Sequence, residues 1–282
     1  MLQKSYSDNK IGNLYIVPTP IGNKADITLR ALETLKLVDL IYAEDTRTSS
    51  ILLNMYEINK PLKACHLYNE EKIKNKVVDE LKSGKNIALI SDQGTPLLSD
   101  PGHELVKEVI RNNINVISLP GPSALLPALN MSGIEANKFL FYGFLNSKIS
   151  TAKRELEALK NIQFTLVFYE APHRFLSTLE LMLDVFGDRN ISVCREITKI
   201  HEEIFRGKIS EAIELYKDIK GEIVIVVEKG EKEVNIEELL KEVKLEIKKG
   251  MSNKDAVKLI SKKYGVSKNL LYNKNEEKRK WN

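Results

Sequence analysis

Short apolar runs alternate with longer stretches in which apolar residues return every three or four positions. The runs at 14–17, 40–43, 62–66, 87–90 and 116–119 are too short for helices and read as buried strands. Between the first two, Leu29, Leu32, Leu35 and Val38 keep helical spacing, with Asp26 or Thr28 available as the cap. Ile51, Leu52 and Met55 predict a second helix. Residues 71–83 predict a third, with Ile73, Val77, Val78 and Leu81 inward and Gly84 as the stop, and 104–112 predict a fourth. Strand–helix alternation of this kind predicts an α/β fold with a largely parallel sheet.

Pro120-Gly121-Pro122-Ser123-Ala124 interrupts the alternation, and Pro122 and Ser123 are suited to open a helix through Leu125, Leu126 and Leu129. Strands follow at 139–144, 164–169, 191–195 and 223–227, with helices near 150–160, 172–186 and 210–219. Beyond Gly230 the strand signal stops; 236–249 and 253–264 read as helices, then a turn at Gly265-Val266-Ser267 and a third short helix. Three parts are therefore expected: an α/β domain over 1–120, a second α/β domain over 121–230 and a helical extension over 231–282.

The chain has 282 residues, 43% hydrophobic and 29% charged, the balance of an ordinary globular protein. No apolar run approaches the ~18–20 residues that span a bilayer, so no membrane partner is expected. Residues 1–9 are polar and carry no apolar signal region, and a cytoplasmic location is expected. Cys65 and Cys194 lie in or beside strands and read as small buried residues of a reducing compartment. His66, His103, His173 and His201 are not spaced as metal ligands, and no metal is expected. The net charge of +4 belongs to the tail, where 14 Lys and Arg after residue 230 face 9 Asp and Glu. A basic appendage on a near-neutral body suggests a polyanionic partner, or simply a solvated lysine-rich end.

No G-x-G-x-x-G follows the first strand and no Walker-type phosphate loop is present. What remains is a set of strand-end loops, at 18–23, 44–47, 91–102, 120–124, 170–174, 195–199 and 221–222. The richest is Ser91-Asp92-Gln93-Gly94-Thr95-Pro96-Leu97-Leu98-Ser99-Asp100-Pro101-Gly102. In α/β sheets ligands bind beyond the carboxyl ends of strands, and seven punctuated ends in one chain point to one shared site.

Six segments carry a resemblance. They are Val17-Pro18-Thr19-Pro20-Ile21-Gly22-Asn23, Ala43-Glu44-Asp45-Thr46-Arg47, Ser91-Asp92-Gln93-Gly94-Thr95-Pro96, Pro120-Gly121-Pro122-Ser123-Ala124, Phe168-Tyr169-Glu170-Ala171-Pro172-His173-Arg174 and Arg195-Glu196-Ile197-Thr198-Lys199. In this order and at these intervals they resemble the ribosomal RNA small-subunit methyltransferase I family of the tetrapyrrole-methylase superfamily, over roughly residues 12–230. Gln93 stands where a small residue is usual and Ala171 where Ser is usual. The resemblance implies two α/β domains with S-adenosyl-L-methionine folded into the cleft between them, a homodimer, and 2′-O-methylation of a cytidine in the decoding region of 16S rRNA, free or within the 30S subunit. By position it implies donor contacts from Pro20, from Asp92, Gln93, Gly94, Thr95 and Leu97, from Ser123 and Ala124, from Tyr169, Glu170 and Ala171, and from Gly221 and Glu222.

The chemistry of such a transfer asks for backbone groups to read the adenine, carboxylates for the ribose or amino group, and an acceptor for the 2′-hydroxyl proton. Asp45, Glu170, Glu196 and Lys199 lie at strand ends and are the candidates for that acceptor. Lys199 needs a depressed pKa for it, and otherwise suits a phosphate or the alkoxide. Arg47, His173 and Arg174, with Lys254, Lys258, Lys262 and Lys263 of the tail, are the candidates for RNA contact. Plainer roles compete: Asp45 pairing with Arg47 or capping a helix, Glu196 pairing with Lys199, His173 and Arg174 binding a neighbouring loop, and Tyr169 as a core residue with a polar tip. Two other functions compete as well, a methylase of a tetrapyrrole or other small acceptor and a non-catalytic RNA-binding or ribosome-assembly protein.

Overall fold

A computed structural model describes residues 2–5, 10–230, 236–264 and 266–273. Five strands, β1 (Leu14–Ile16), β2 (Leu40–Ala43), β3 (Leu62–Ala64), β4 (Ile87–Ile90) and β5 (Val116–Ser118), form one sheet in the order β3-β2-β4-β1-β5. Every pairing in it is parallel. Helices cover both faces, so alternate residues of each strand enter different cores. Leu14, Ile16, Leu40, Tyr42, Ile87 and Leu89 pack with α3 (Glu70–Lys82) and α4 (His103–Arg111). Val17, Ile41, Ala43, Ala88 and Ile90 pack with α1 (Leu29–Leu37) and α2 (Thr46–Met55). Of the two caps foreseen for α1, Thr28 serves, its Oγ1 accepting from Ala31 N at 3.1 Å. Asp45 caps α2, accepting from Arg47 N at 2.8 Å.

The second sheet contains β6 (Phe139–Phe144), β7 (Thr165–Glu170), β8 (Asn190–Arg195), β9 (Glu203–Lys208) and β10 (Ile223–Val227), in the order β6-β7-β10-β8-β9. Here the pairing is mixed. Only β6 and β7 run parallel, and the other three pairings are antiparallel. Strand β9 has no counterpart among the strands expected from the apolar pattern. Glu-Ile-Phe-Arg-Gly-Lys has two apolar residues, and as an edge strand it needs no more. One face of the sheet packs on α6 (Ile149–Leu159), α7 (Phe175–Phe186) and α8 (Ile209–Leu215). The other face packs on α5 (Leu125–Ser132), together with Ile21 and Ile197.

The chain divides into two compact units, Met1–Lys229 and Gly230–Asn282. The second has its own core, in which Leu239, Leu240 and Val243 of α9 (Ile236–Lys248) meet Ala256, Val257 and Ile260 of α10 (Asn253–Tyr264) and Leu271. Residues 268–273 are helical, while Gly265 of the expected turn lies outside the described residues. Among the described residues no helix is long and apolar enough to cross a membrane. Cys65 and Cys194 are buried and free.

Candidate functional site

Parallel strands end together, so the loops after β1, β2, β4 and β5 meet along one edge of the first sheet. The carboxyl ends of β6 and β7 and the amino end of β10, where Ile223 pairs with Glu170, bound the same space. It is a cavity of about 450 Å³. The loop after β4 makes one wall. It is pinned to the β1 turn by two bonds, Thr19 N to Gly94 O (2.8 Å) and Gly94 N to Thr19 O (2.9 Å). Thr95 Oγ1 donates to Pro122 O at 2.9 Å and so ties it to the next loop. Gly94, Leu97 and Ser99 have φ of +80°, +75° and +71°, and the left-handed coil they form presents Asp92, Gln93, Gly94, Thr95, Ser99 and Asp100 to the cavity.

Two expected donor contacts are not on the wall. Pro20 follows the Thr19 bridge but does not line the cavity. Leu97 turns into the first core, where a Cβ on Gly102 would lie 2.7 Å from its Cδ2. Leu98 and Ser99 line the cavity in its place.

Three carboxylates share this wall: Glu44 after β2, and Asp92 and Asp100 after β4. Burial is the largest influence on each and raises all three; repulsion adds to it, from Asp92 and Asp45 at Glu44, from Glu44 and Asp92 at Asp100, and from Asp45 at Asp92. Asp100 is pushed up to about 6, against a hydrogen bond from Ser91 that favours its charge. Desolvated like charges of this kind suit a cation. Glu44 and Asp100 lie within the strand-end loops of the sequence, but nothing in the linear pattern singles them out. What marks them is the convergence of β2 and β4 in the sheet.

The rest of the lining includes Ser123, Ala124, Tyr169, Glu170, Ala171, Gly221 and Glu222, all expected at the site, with Phe144, Ile197 and Ile223 added. Tyr169 combines both of its readings: it faces the cavity and packs edge-on against Phe141 and Phe144, ring centroids 4.9 and 5.7 Å away. Burial raises its phenol.

The proton-acceptor candidates fare unevenly. Asp45 is outside the cavity, and hydrogen bonds from Arg47 hold it at about 2, which leaves a weak base. Glu170, 1% exposed, accepts from Arg174 Nη2 (2.7 Å), Thr178 Oγ1 (2.6 Å) and Ala171 N (2.7 Å), so most of its acceptor capacity holds its own loop. Glu196 accepts from Lys199 Nζ and Glu222 N, both at 2.9 Å. Burial disfavours the charge on Lys199, but bonds to Glu196 and Glu222 outweigh it and raise the ammonium, the reverse of what a base needs.

The RNA candidates divide too. Arg174 turns inward, its Nη1 donating to Leu145 O at 3.1 Å, and is a strut rather than a free phosphate ligand. Arg47 is 89% exposed beside Asp45. His173 is exposed and lines a second concavity with Leu176 and Lys217. In the second unit Lys254, Lys258 and Lys262 are exposed at intervals of four on α10. Lys263 instead ties α10 to α9 by donating to Glu242 at 2.9 Å. Among the described residues no His, Cys, Asp and Glu group could hold a metal ion.

The family model for Tetrapyrrole (Corrin/Porphyrin) Methylases matches residues 13–213. A protein of Bacillus subtilis named ribosomal RNA small subunit methyltransferase I is 47% identical, covering 96% of this chain and 98% of its own length. The chain belongs to the tetrapyrrole methylase family, in its ribosomal RNA small subunit methyltransferase I branch. A member of that branch from Thermotoga maritima is 48% identical over 77% of this chain and 98% of its own length, so about a quarter of this chain has no counterpart there. The fold of the family is equally visible in solved structures. Uroporphyrin-III C-methyl transferase from Thermus thermophilus, complexed with S-adenyl homocysteine, matches 77% of this chain with a TM-score of 0.56 at 18% identity. The methyltransferase CobJ matches the same share at 0.59 and 16%.

Proposed function

We propose that this protein transfers a methyl group from S-adenosyl-L-methionine to the ribose 2′-oxygen of a cytidine in the decoding region of 16S rRNA. The observation that carries the reading is the acidic, glycine-walled cavity at the strand ends of a chain 47% identical to a named small-subunit rRNA methyltransferase. The cavity residues fit that donor. Asp92, Asp100 and Glu44 face the space with desolvated negative charge, which favours a sulfonium and an ammonium group. Gly94 and Gly221 expose backbone for adenine edges, and Tyr169 and Phe144 offer aromatic surface.

When bound, the donor supplies an electrophilic methyl carbon. The chain's task is to align the incoming oxygen with it, worth up to ~7–11 kcal/mol where orientation is good, and to accept the hydroxyl proton, worth typically ~10²–10⁴ in rate. Of the carboxylates in the cavity, Glu44, Asp92 and Asp100 combine raised proton affinity with access, and they are favoured for that role over Asp45, Glu170, Glu196 and Lys199. The exposed lysines of α10 and Arg47 supply phosphate contacts. The homodimer, the assembled 30S subunit as the acceptor and a cytoplasmic location belong to the same reading, on the strength of the family resemblance. Calorimetric titration with S-adenosyl-L-methionine tests it. Saturable binding weakened at least ~10-fold in Asp100→Asn (about 1.4 kcal/mol) is expected, and an absence of heat with the wild-type protein contradicts it.

A further inference from the structure

The loop after β8 carries two unusual backbone positions. Glu196 and Thr198 have φ of +51° and +69°. A β-branched residue in the left-handed region is a genuine outlier, and such strain persists only where the surroundings enforce it. The surroundings are two glycine notches, in loops that flank strands of different sheets. A Cβ on Gly221, at the cavity wall, would lie 2.5 Å from Glu196 Oε1. A Cβ on Gly22, in the turn after β1, would overlap Lys199 Cγ. The carboxylate of Glu196 thus occupies one notch and the stem of Lys199 the other.

The pair is locked from both sides. Lys199 Nζ donates to Glu196 Oε1 and Glu222 Oε2, both at 2.9 Å, and Glu196 Oε1 also accepts from Glu222 N at 2.9 Å. Asn23 N donates to Thr198 Oγ1 at 3.1 Å, and Thr198 N to Glu202 Oε2 at 2.7 Å. Ile197, between the strained residues, lines the cavity. One five-residue loop therefore touches the β1 turn of the first sheet and the β10 step of the second.

We propose that Lys199 is a positioning residue for the donor: its stem seats the β1 turn, its ammonium holds the Gly221–Glu222 step, and neither touches the reacting atoms. The proposal rests on the donor reading above and goes beyond it in naming what sets the width of the site. The test compares Lys199→Met, which keeps the stem and loses the tether, with Lys199→Arg, which keeps a charge. Binding of S-adenosyl-L-methionine and of S-adenosylhomocysteine is measured by calorimetry, beside the thermal midpoint of the ligand-free protein. Lys199→Met is expected to weaken both ligands by about the same factor, on the order of tenfold, with a midpoint shift of under ~4 °C; Lys199→Arg is expected to recover most of the affinity. Thr198→Gly, which relieves the left-handed strain but removes the bond to Asn23, is expected to weaken both ligands without lowering the midpoint. Wild-type affinity in Lys199→Met overturns the proposal. So does a selective gain for the sulfonium over S-adenosylhomocysteine, the signature of charge alone, and so does a loss of affinity that tracks unfolding. Failure of the wild-type protein to bind either ligand strikes the donor reading instead.

Discussion

Asp100 is the residue at which composition, geometry and chemistry meet. Its carboxyl is raised from 3.8 to about 6, mainly by burial and then by Glu44. A carboxyl whose folded pKa exceeds its unfolded value destabilises the fold as pH rises through the gap between them. Asp100→Asn is therefore expected to match the wild type in stability below pH ~4 and to exceed it at pH 8 by about 1–2 kcal/mol, read from urea unfolding at the two pH values. The same substitution is expected to weaken donor binding at pH 8, a stability gain with a functional loss of the kind that marks a site. Glu170 predicts the opposite sign. It is buried and bonded to Arg174, Thr178 and its own loop, so Glu170→Ala leaves Arg174 without its carboxylate and is expected to cost about 3–5 kcal/mol, again by urea unfolding.

At the scale of elements, α10 displays two kinds of lysine. Lys254, Lys258 and Lys262 form an exposed stripe, whereas Lys263 bonds to Glu242 on α9. Replacing the three by Gln is expected to flatten the slope of log affinity for RNA against log salt by about 0.7 for each phosphate that a lysine neutralises, and to leave the fold intact. Lys263→Gln is expected to lower the thermal midpoint and leave that slope unchanged. Filter binding across a salt series, with thermal melts, separates them. Such distinctions are beyond the sequence, which shows four lysines of one type. Strands β1 to β8 and β10 are legible in it because each is a compact apolar run or nearly so. The edge strand β9 is not, because Ile204 and Phe205 are its only large apolar residues. The candidate site is legible as loops. Their assignment to walls is not, since it depends on β2 and β4 being neighbours in the sheet and on Leu97 filling the space beside Gly102. Arg174 misleads for the same reason: a guanidinium after a strand end points outward or inward according to a carboxylate four residues earlier, and here Glu170 draws it in.

At the scale of the whole molecule, the cavity is built entirely from residues of Met1–Lys229, and the basic stripe belongs to Gly230–Asn282. A chain truncated after Lys229 is expected to keep donor affinity within about threefold and to lose RNA affinity at least ~10-fold, a difference of about 1.4 kcal/mol. The proposed activity is delivery of a methyl group from the cavity to a ribose oxygen of rRNA. Its most direct test is transfer of labelled methyl from S-adenosyl-L-methionine to unmodified small ribosomal subunits, with the product digested to nucleosides and separated by mass. Label is expected in 2′-O-methylcytidine and none in a uroporphyrinogen offered in parallel. Label on the porphyrinogen, or on a base rather than the sugar, contradicts it.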